Sequence, residues 1–327
     1  MYTKTVKNIS GKANAKWQDL LEKSGLCTDN CMDTTVLLYD EEKLIATGSR
    51  YENILKCIAV DPSRQGEDLT SKIITALRQD AFEAGFNHLF LYTKPENMSV
   101  FSSLFFYPIV QTDSVLLMEN KQSGIKNFIN SIKIHPRGTV GSCVMNCNPF
   151  TLGHRYLIET ASKQCDHLFV FIVSEDKSYF PFKDRFEMVK LGTADLKNVT
   201  VVETGPYLIS SATFPTYFLK DREKAEEIHC MLDIEIFSKH FASAFNITKR
   251  FVGTEPLSPM TASYNETLKK YLPQKGIDVI ELPRLISDGL PISASKVREL
   301  IKAEDFDLLK SFIPKTTFDF IINKGEF

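Results

Sequence analysis

Apolar positions along the chain switch between the alternation or short continuous runs of strands and the three-to-four spacing of amphipathic helices. Thr34–Tyr39 and Lys43–Ser49 read as two strands joined by the polar tip Asp40-Glu41-Glu42, and Leu55–Val60 as a third. Leu69, Ile73, Ile74, Leu77 and Phe82 then recur at helical spacing, and Gly85 ends that helix. His88–Tyr92 is another strand, a short helix follows Pro95, and Val115–Met118 is the last strand of this part. The order β-β-β-α-β-α-β predicts a smaller mixed α/β domain over residues 1–122. A linker over 123–138 follows, with a short amphipathic stretch, Ile125–Ile134, closed by Pro136-Arg137-Gly138.

Beyond the linker the alternation is regular. Strands at Thr139–Met145, His167–Val173, Val199–Glu203, Arg250–Gly253 and Asp278–Leu282 take turns with helices at Gly153–Lys163, Lys183–Ala194, Thr261–Tyr271 and Ser293–Lys302. A Pro- and aromatic-rich loop with one or two helices fills 205–246. Strands alternating with helices form βαβ units, so residues 139–327 are expected to build a Rossmann-like parallel sheet that binds ligands at the carboxyl ends of its strands.

Composition narrows the function classes. The 327 residues carry 39 Lys plus Arg against 41 Asp plus Glu, a net charge of −2. That near-balance argues against a nucleic-acid or anionic-membrane partner held by bulk charge. A hydrophobic fraction of 43% excludes a disordered chain. No apolar run approaches the roughly 18–20 residues needed to cross a bilayer. Met1-Tyr2-Thr3-Lys4 opens no apolar signal core, so a cytoplasmic location is expected. Seven cysteines, an odd number spread through the chain, fit reduced thiols better than a disulfide framework. Cys27/Cys31 and Cys143/Cys147 are each spaced by four, but one pair falls in a loop-like segment and the other beside a strand end, and no metal site is expected from them.

Two stretches carry chemistry. In Asn146-Cys147-Asn148-Pro149-Phe150-Thr151-Leu152-Gly153-His154 a first parallel strand passes into a helix. Pro149 stiffens the loop, Gly153 admits a ligand close to the backbone, and His154 lies in the first helical turn. Free N–H groups and the helix dipole favour a phosphate there, and the imidazole adds a donor for charge developing on a phosphoryl oxygen. The plainer alternative is a capping Thr151 beside a satisfied histidine; the position after strand one of a parallel sheet favours the functional one. Ile292-Ser293-Ala294-Ser295-Lys296-Val297-Arg298 is a second strand-to-helix junction, with two hydroxyls at a helix start and Arg298 in the first turn. Taken alone it reads as a Ser N-cap with a solvated basic face; paired with the first stretch it reads as a second phosphate cradle. Between them, Lys177 follows the second strand, Arg185 opens a helix, and Gly253-Thr254-Glu255 borders another strand end where a ribose or base would lie.

These residues carry a resemblance. Asn148–His154 resembles the Thr-x-Gly-His form of the nucleotidylyltransferase signature, and Ile292–Arg298 its Ile-Ser-Ser-Thr-x-x-Arg partner. Several blocks are similar to the citrate lyase ligase family: Lys56–Asp61, Thr93–Glu96, Met145–Glu159, Gly205–Pro215, Phe251–Pro256 and Ile292–Arg298. The likeness runs in order through nearly the whole chain and includes an N-terminal acetyltransferase-like (GNAT-like) domain. It implies an ATP-dependent ligase that forms acetyl-adenylate from acetate, releases pyrophosphate, and passes acetyl to the prosthetic-group thiol of the citrate lyase acyl carrier subunit. By that likeness His154, Lys177 and Arg298 are the catalytic set, with the first two at the α-phosphate. Asn148, Pro149, Phe150, Thr151, Gly153, Arg185, Gly253, Thr254, Glu255, Ile292, Ser293 and Ser295 border the nucleotide, and Mg²⁺ is expected on the phosphates without dedicated protein ligands.

One run departs from the acetyltransferase pattern of Arg/Gln-x-x-Gly-x-Gly/Ala. Here it reads Ser63-Arg64-Gln65-Gly66-Glu67-Asp68, and a carboxylate at Asp68 repels a coenzyme pyrophosphate. The N-terminal domain is therefore expected to help dock the carrier or its arm. Two other readings stay open: a nucleotidylyltransferase of coenzyme biosynthesis, and an acetyltransferase whose C-terminal half senses a nucleotide.

Overall fold

The computed structural model describes the chain except residues 30, 176–177, 209–213, 220–223, 257, 288–289 and 326–327. It packs into two units: Met1–Ile125 with Thr213–Glu235, and Lys126–Ala212 with Ile236–Phe327. The division therefore differs from boundaries at 122 and 139, because part of the aromatic-rich segment belongs to the first unit. Its buried Phe214, Tyr217 and Phe218 give that segment an apolar face to cover. Tyr217 donates its hydroxyl to the Tyr92 carbonyl at 2.5 Å, and Phe214 meets the Tyr92 ring edge-on at 5.9 Å.

In the first unit, strands β1 (Tyr2–Val6), β2 (Thr34–Asp40), β3 (Lys43–Tyr51), β4 (Ile54–Val60), β5 (Phe90–Thr93), β6 (Tyr107–Gln111) and β7 (Leu116–Glu119) form one sheet. Their spatial order is β1-β2-β3-β4-β5-β7-β6. Every pair is antiparallel except β4 and β5, joined in parallel through Ile54↔Phe90 and Leu55↔Leu91. The helix Leu69–Glu83 buries Leu69, Ile73, Ile74, Leu77 and Ala81. Phe82, expected on that face, is 65% exposed: the buried row steps by four through 69, 73, 77 and 81, and 82 falls off its phase.

In the second unit, β8 (Val140–Met145), β9 (His167–Ile172), β10 (Val199–Glu203), β11 (Ile247–Gly253) and β12 (Asp278–Leu282) form a parallel sheet in the order β10-β9-β8-β11-β12. Helices Leu152–Ser162, Phe182–Gly192, Pro259–Tyr271 and Ala294–Lys302 accompany it, each within a few residues of its expected place. One face of the sheet presents Cys143, Leu168, Val170, Ile172 and Phe251 to a core that includes Phe150, Ile158, Val189, Val297 and Leu300. The α/β class with a parallel second sheet, read from the pattern, is the architecture found. The strand order reverses at β8: β9 lies on one side of it and β11 on the other, and a crevice opens at such a switch point beyond the carboxyl ends.

Candidate functional site

The turn after β8 is built by side chain-to-backbone exchange. Thr151 has extended backbone (φ −116°, ψ 168°) and caps the helix Leu152–Ser162, its Oγ1 accepting from the His154 N–H at 3.3 Å. In return the Thr151 N–H donates to His154 Nδ1 at 3.1 Å. That bond occupies the Nδ1 lone pair, so the neutral ring carries its proton on Nε2. Burial first, and the charge of Arg284 second, bring the imidazole pKa down to about 4. The ring is a neutral donor, held in place by its box with Thr151 and by Phe150, fully buried and stacked beside it at 6.1 Å.

The second turn faces the same space. Ser293 caps the helix Ala294–Lys302, its Oγ accepting from the Lys296 N–H at 3.2 Å. One turn on, Arg298 donates from Nη1 to the Asn148 carbonyl at 2.6 Å and from Nη2 to Ser295 Oγ at 3.0 Å. This guanidinium ties the two motifs together across 150 residues of sequence. At the end of β11, Asn265 donates to the Gly253 carbonyl at 2.9 Å, and Thr254 Oγ1 accepts from the Arg284 N–H at 3.0 Å. Glu255 receives the Arg284 guanidinium through both oxygens, at 2.9 and 3.0 Å.

A cavity of about 420 Å³ lies between these turns. Asn148, Thr151, Gly153 and His154 line it from the first turn, Gly253, Thr254 and Glu255 from the strand end, and Ile292 and Arg298 from the second turn. A Cβ built on Gly153 would lie 3.5 Å from the Ile292 carbonyl oxygen and 3.5 Å from Thr151 Oγ1, so the second turn packs closely against the backbone there. Phe150 supports His154 from the core, and Pro149, after a cis peptide bond, is outside the lining, as are Ser293 and Ser295, whose hydroxyls serve the cap and the Arg298 brace.

Arg185 stands apart from this lining. It is fully buried and donates to the carbonyls of Phe180, Asn146, Val173 and Glu175 and to Asn146 Oδ1. A guanidinium engaged by five oxygens holds the loops after β8 and β9. Lys177 lies outside the described residues. Arg250, Asn265 and Arg284 are among the cavity residues that escaped the sequence reading. Arg284 had a signal, a cation just past the carboxyl end of a parallel strand; Arg250, directly after Lys249 in the strand, had none that set it apart. Among the described residues no three His, Cys, Asp or Glu side chains gather closely enough for a metal ion. Cys143 and Cys147 are buried, and desolvation pushes the Cys143 thiol up to about 12.

A doubly wound parallel sheet, with an imidazole and a braced guanidinium at its switch point, belongs to the nucleotidylyltransferase-like class of α/β domains. In keeping with that, a phosphopantetheine adenylyltransferase of Streptococcus agalactiae is 25% identical over 147 residues, covering 41% of this chain and 90% of that protein. Residues 140–321 match the family described as citrate lyase ligase C-terminal domain. The citrate (pro-3S)-lyase ligase of Klebsiella pneumoniae is 42% identical over 293 residues, 88% of this chain and 86% of that one. That of Escherichia coli is 38% identical over 326 residues, 97% of this chain and 93% of that one. The chain belongs to the citrate lyase ligase family and is an enzyme, a ligase.

Proposed function

We propose that this ligase joins acetate to a protein-borne thiol in two steps. A carboxylate oxygen of acetate attacks the α-phosphorus of ATP, which enters as its magnesium complex. The new O–P bond forms as the bond to the departing pyrophosphate breaks, leaving acetyl-adenylate. The prosthetic-group thiol on the acyl carrier subunit of citrate lyase then attacks the acetyl carbon. A thioester forms, AMP leaves, the thiol proton is released, and citrate lyase is switched on.

A carboxylate is already a nucleophile, so the first step asks for alignment and charge stabilisation rather than a base. His154 meets that demand with an Nε2–H aimed at α-phosphoryl oxygen, and Lys177 joins it there by family likeness alone. Arg298 and the backbone around Ser293 and Ser295 hold the departing β- and γ-phosphates. The relatives' names support the reaction class. The single observation that carries the reading is that His154 and Arg298, 144 positions apart in the chain, border one cavity.

The test is exchange of labelled pyrophosphate into ATP with a panel of short carboxylates, followed by addition of carrier in its thiol form. Acetate-dependent exchange and thiol-dependent AMP release are expected. Exchange that needs phosphopantetheine instead of acetate would move the protein to coenzyme biosynthesis, and acetyl-CoA consumption that survives His154→Ala would make it an acetyltransferase.

A further inference from the structure

Three arginines line the cavity of the second unit, and they differ in what they hold. Arg284 is taken by Glu255, and Arg298 by Asn148 and Ser295. Arg250, on β11, is 3% exposed, and its Nε and Nη1 are buried with no protein hydrogen-bond partner. No ion pair involving Arg250 occurs among the described residues. What lies against it is a ring: the guanidinium carbon is 4.5 Å from the centroid of Phe237, which opens the π-helical turn Phe237–Ala242. A ring face attracts a cation but offers no acceptor for its N–H groups. Buried polar groups in native proteins are almost always satisfied, and an uncompensated buried charge is among the costliest arrangements a fold carries. Retaining one on the wall of a ligand cavity points to a ligand that completes it.

The geometry points to Arg250 as the carboxylate subsite of the ligase reaction: its guanidinium receives the acid that is to be adenylated, with Val144 and Val252 beside it for a short apolar tail. This rests on the acid-activating reading above. A guanidinium fork matches a carboxylate in charge and in planar geometry, better than it matches one tetrahedral phosphoryl oxygen. The division of labour is chemical: the turns with His154 and Arg298 grip the triphosphate, and the buried fork orients the nucleophile against it. Such an arrangement favours a small monocarboxylate, because Arg250 offers one unmet cation with Val144 and Val252 in the same lining.

Arg250→Met removes the charge and keeps the length. An unpaired buried charge replaced by an apolar side chain leaves stability equal or higher, so the unfolding midpoint of the empty protein is expected to hold or rise. The KM for acetate in pyrophosphate exchange is expected to rise on the order of 10²-fold, the worth of two charge-assisted hydrogen bonds, while the KM for ATP moves less than about threefold. Arg250→Lys, which keeps the charge without the fork, is expected to recover part of the loss and serves if the methionine variant fails to fold. As a readout independent of turnover, acetate added with a non-reactive ATP analogue is expected to raise the melting temperature of the wild type and not of Arg250→Met. An unchanged acetate KM, or a rise confined to the ATP KM, overturns the subsite. If the wild type shows no acetate-dependent exchange, the proposed reaction fails instead; acetate-induced stabilisation that depends on Arg250 would still uphold the subsite.

Discussion

The turn from β4 into the helix Leu69–Glu83 and the turn from β8 into the helix Leu152–Ser162 share a plan, a strand end leading to a helix N-terminus beside a cavity. In the first, the Arg64 donors are spent. Arg64 gives Nη1 to Asp40 at 2.8 Å and Nη2 to Glu67 at 2.7 Å, with Nε also on Glu67. Asp61 takes the N–H and hydroxyl of Ser63 and pairs with Lys43 at 2.8 Å, so its carboxyl is held well below the usual carboxylate range. Asp68, left-handed at φ 55° and making no cap hydrogen bond, lines the cavity of about 620 Å³. In the second turn His154 Nε2 remains available, Arg250 on β11 lines the same cavity with Nε and Nη1 unpartnered, and Glu255, also in that lining, is engaged by Arg284. Both helices have the dipole that favours anions. What separates the turns is which donors the fold has already paired.

The most damaging way to break the contrast is to remove what keeps the second turn in shape. Arg185→Met strips five acceptors of their donor inside the unit, and is expected to cost about 4 kcal/mol of stability, read from urea denaturation, with loss of exchange activity following the fold. A midpoint close to wild type would show that the two loops hold themselves. His154→Ala comes next. It leaves the cavity and removes one donor, so exchange is expected to fall by roughly 10²–10³, about 3 kcal/mol of transition-state stabilisation, with little change in ATP affinity. Near-normal turnover would take the imidazole out of the chemistry.

The first turn can be pushed the other way. Glu67→Gln frees part of Arg64, and Asp68→Gly removes the carboxylate that faces the cavity. The double variant is expected to bind coenzyme A about tenfold more tightly than the wild type by calorimetry, from loss of like-charge repulsion, with acetate-dependent exchange unaltered. If the wild type already binds coenzyme A as tightly as the variant, the paired charges at this turn are not what sets its affinity.

Much of this was legible in the sequence, and the misses have causes. The parallel sheet announced itself through apolar runs at Val140–Met145 and His167–Ile172, and two capped strand-to-helix turns through Thr151-x-Gly-His154 and Ser293-x-Ser295. β1 gave no such signal: Tyr2, Thr3, Lys4 and Thr5 are exposed and Val6 is half-buried, and it forms by backbone pairing to β2 rather than by burial. Arg185 looked like its neighbours in the motif because sequence shows a cation but not the carbonyls around it. The partnership of Arg284 with Glu255 spans 29 residues and two strand ends, which no local pattern encodes.

The smallest expected effect concerns protons. His154 has a pKa near 4 in the folded protein against about 6.5 in the unfolded chain. Between those values the unfolded chain binds a proton that the folded protein refuses. The contribution of this residue to stability is therefore complete above about pH 6.5 and is lost as the pH falls towards 4. From pH 7 to pH 6 the loss amounts to about 0.7 kcal/mol, small beside the substitutions above but specific, because His154→Gln abolishes it. The check is urea denaturation of wild type and His154→Gln at pH 7 and pH 6, comparing the two differences so that the other histidines cancel. Exchange activity should show no inflection from this ring between pH 5 and 8, since the neutral Nε2–H donor persists throughout. An inflection near 6.5 that disappears in His154→Gln would mean that the imidazole works as a charged group, and the second turn would then resemble an ordinary exposed histidine at a helix start.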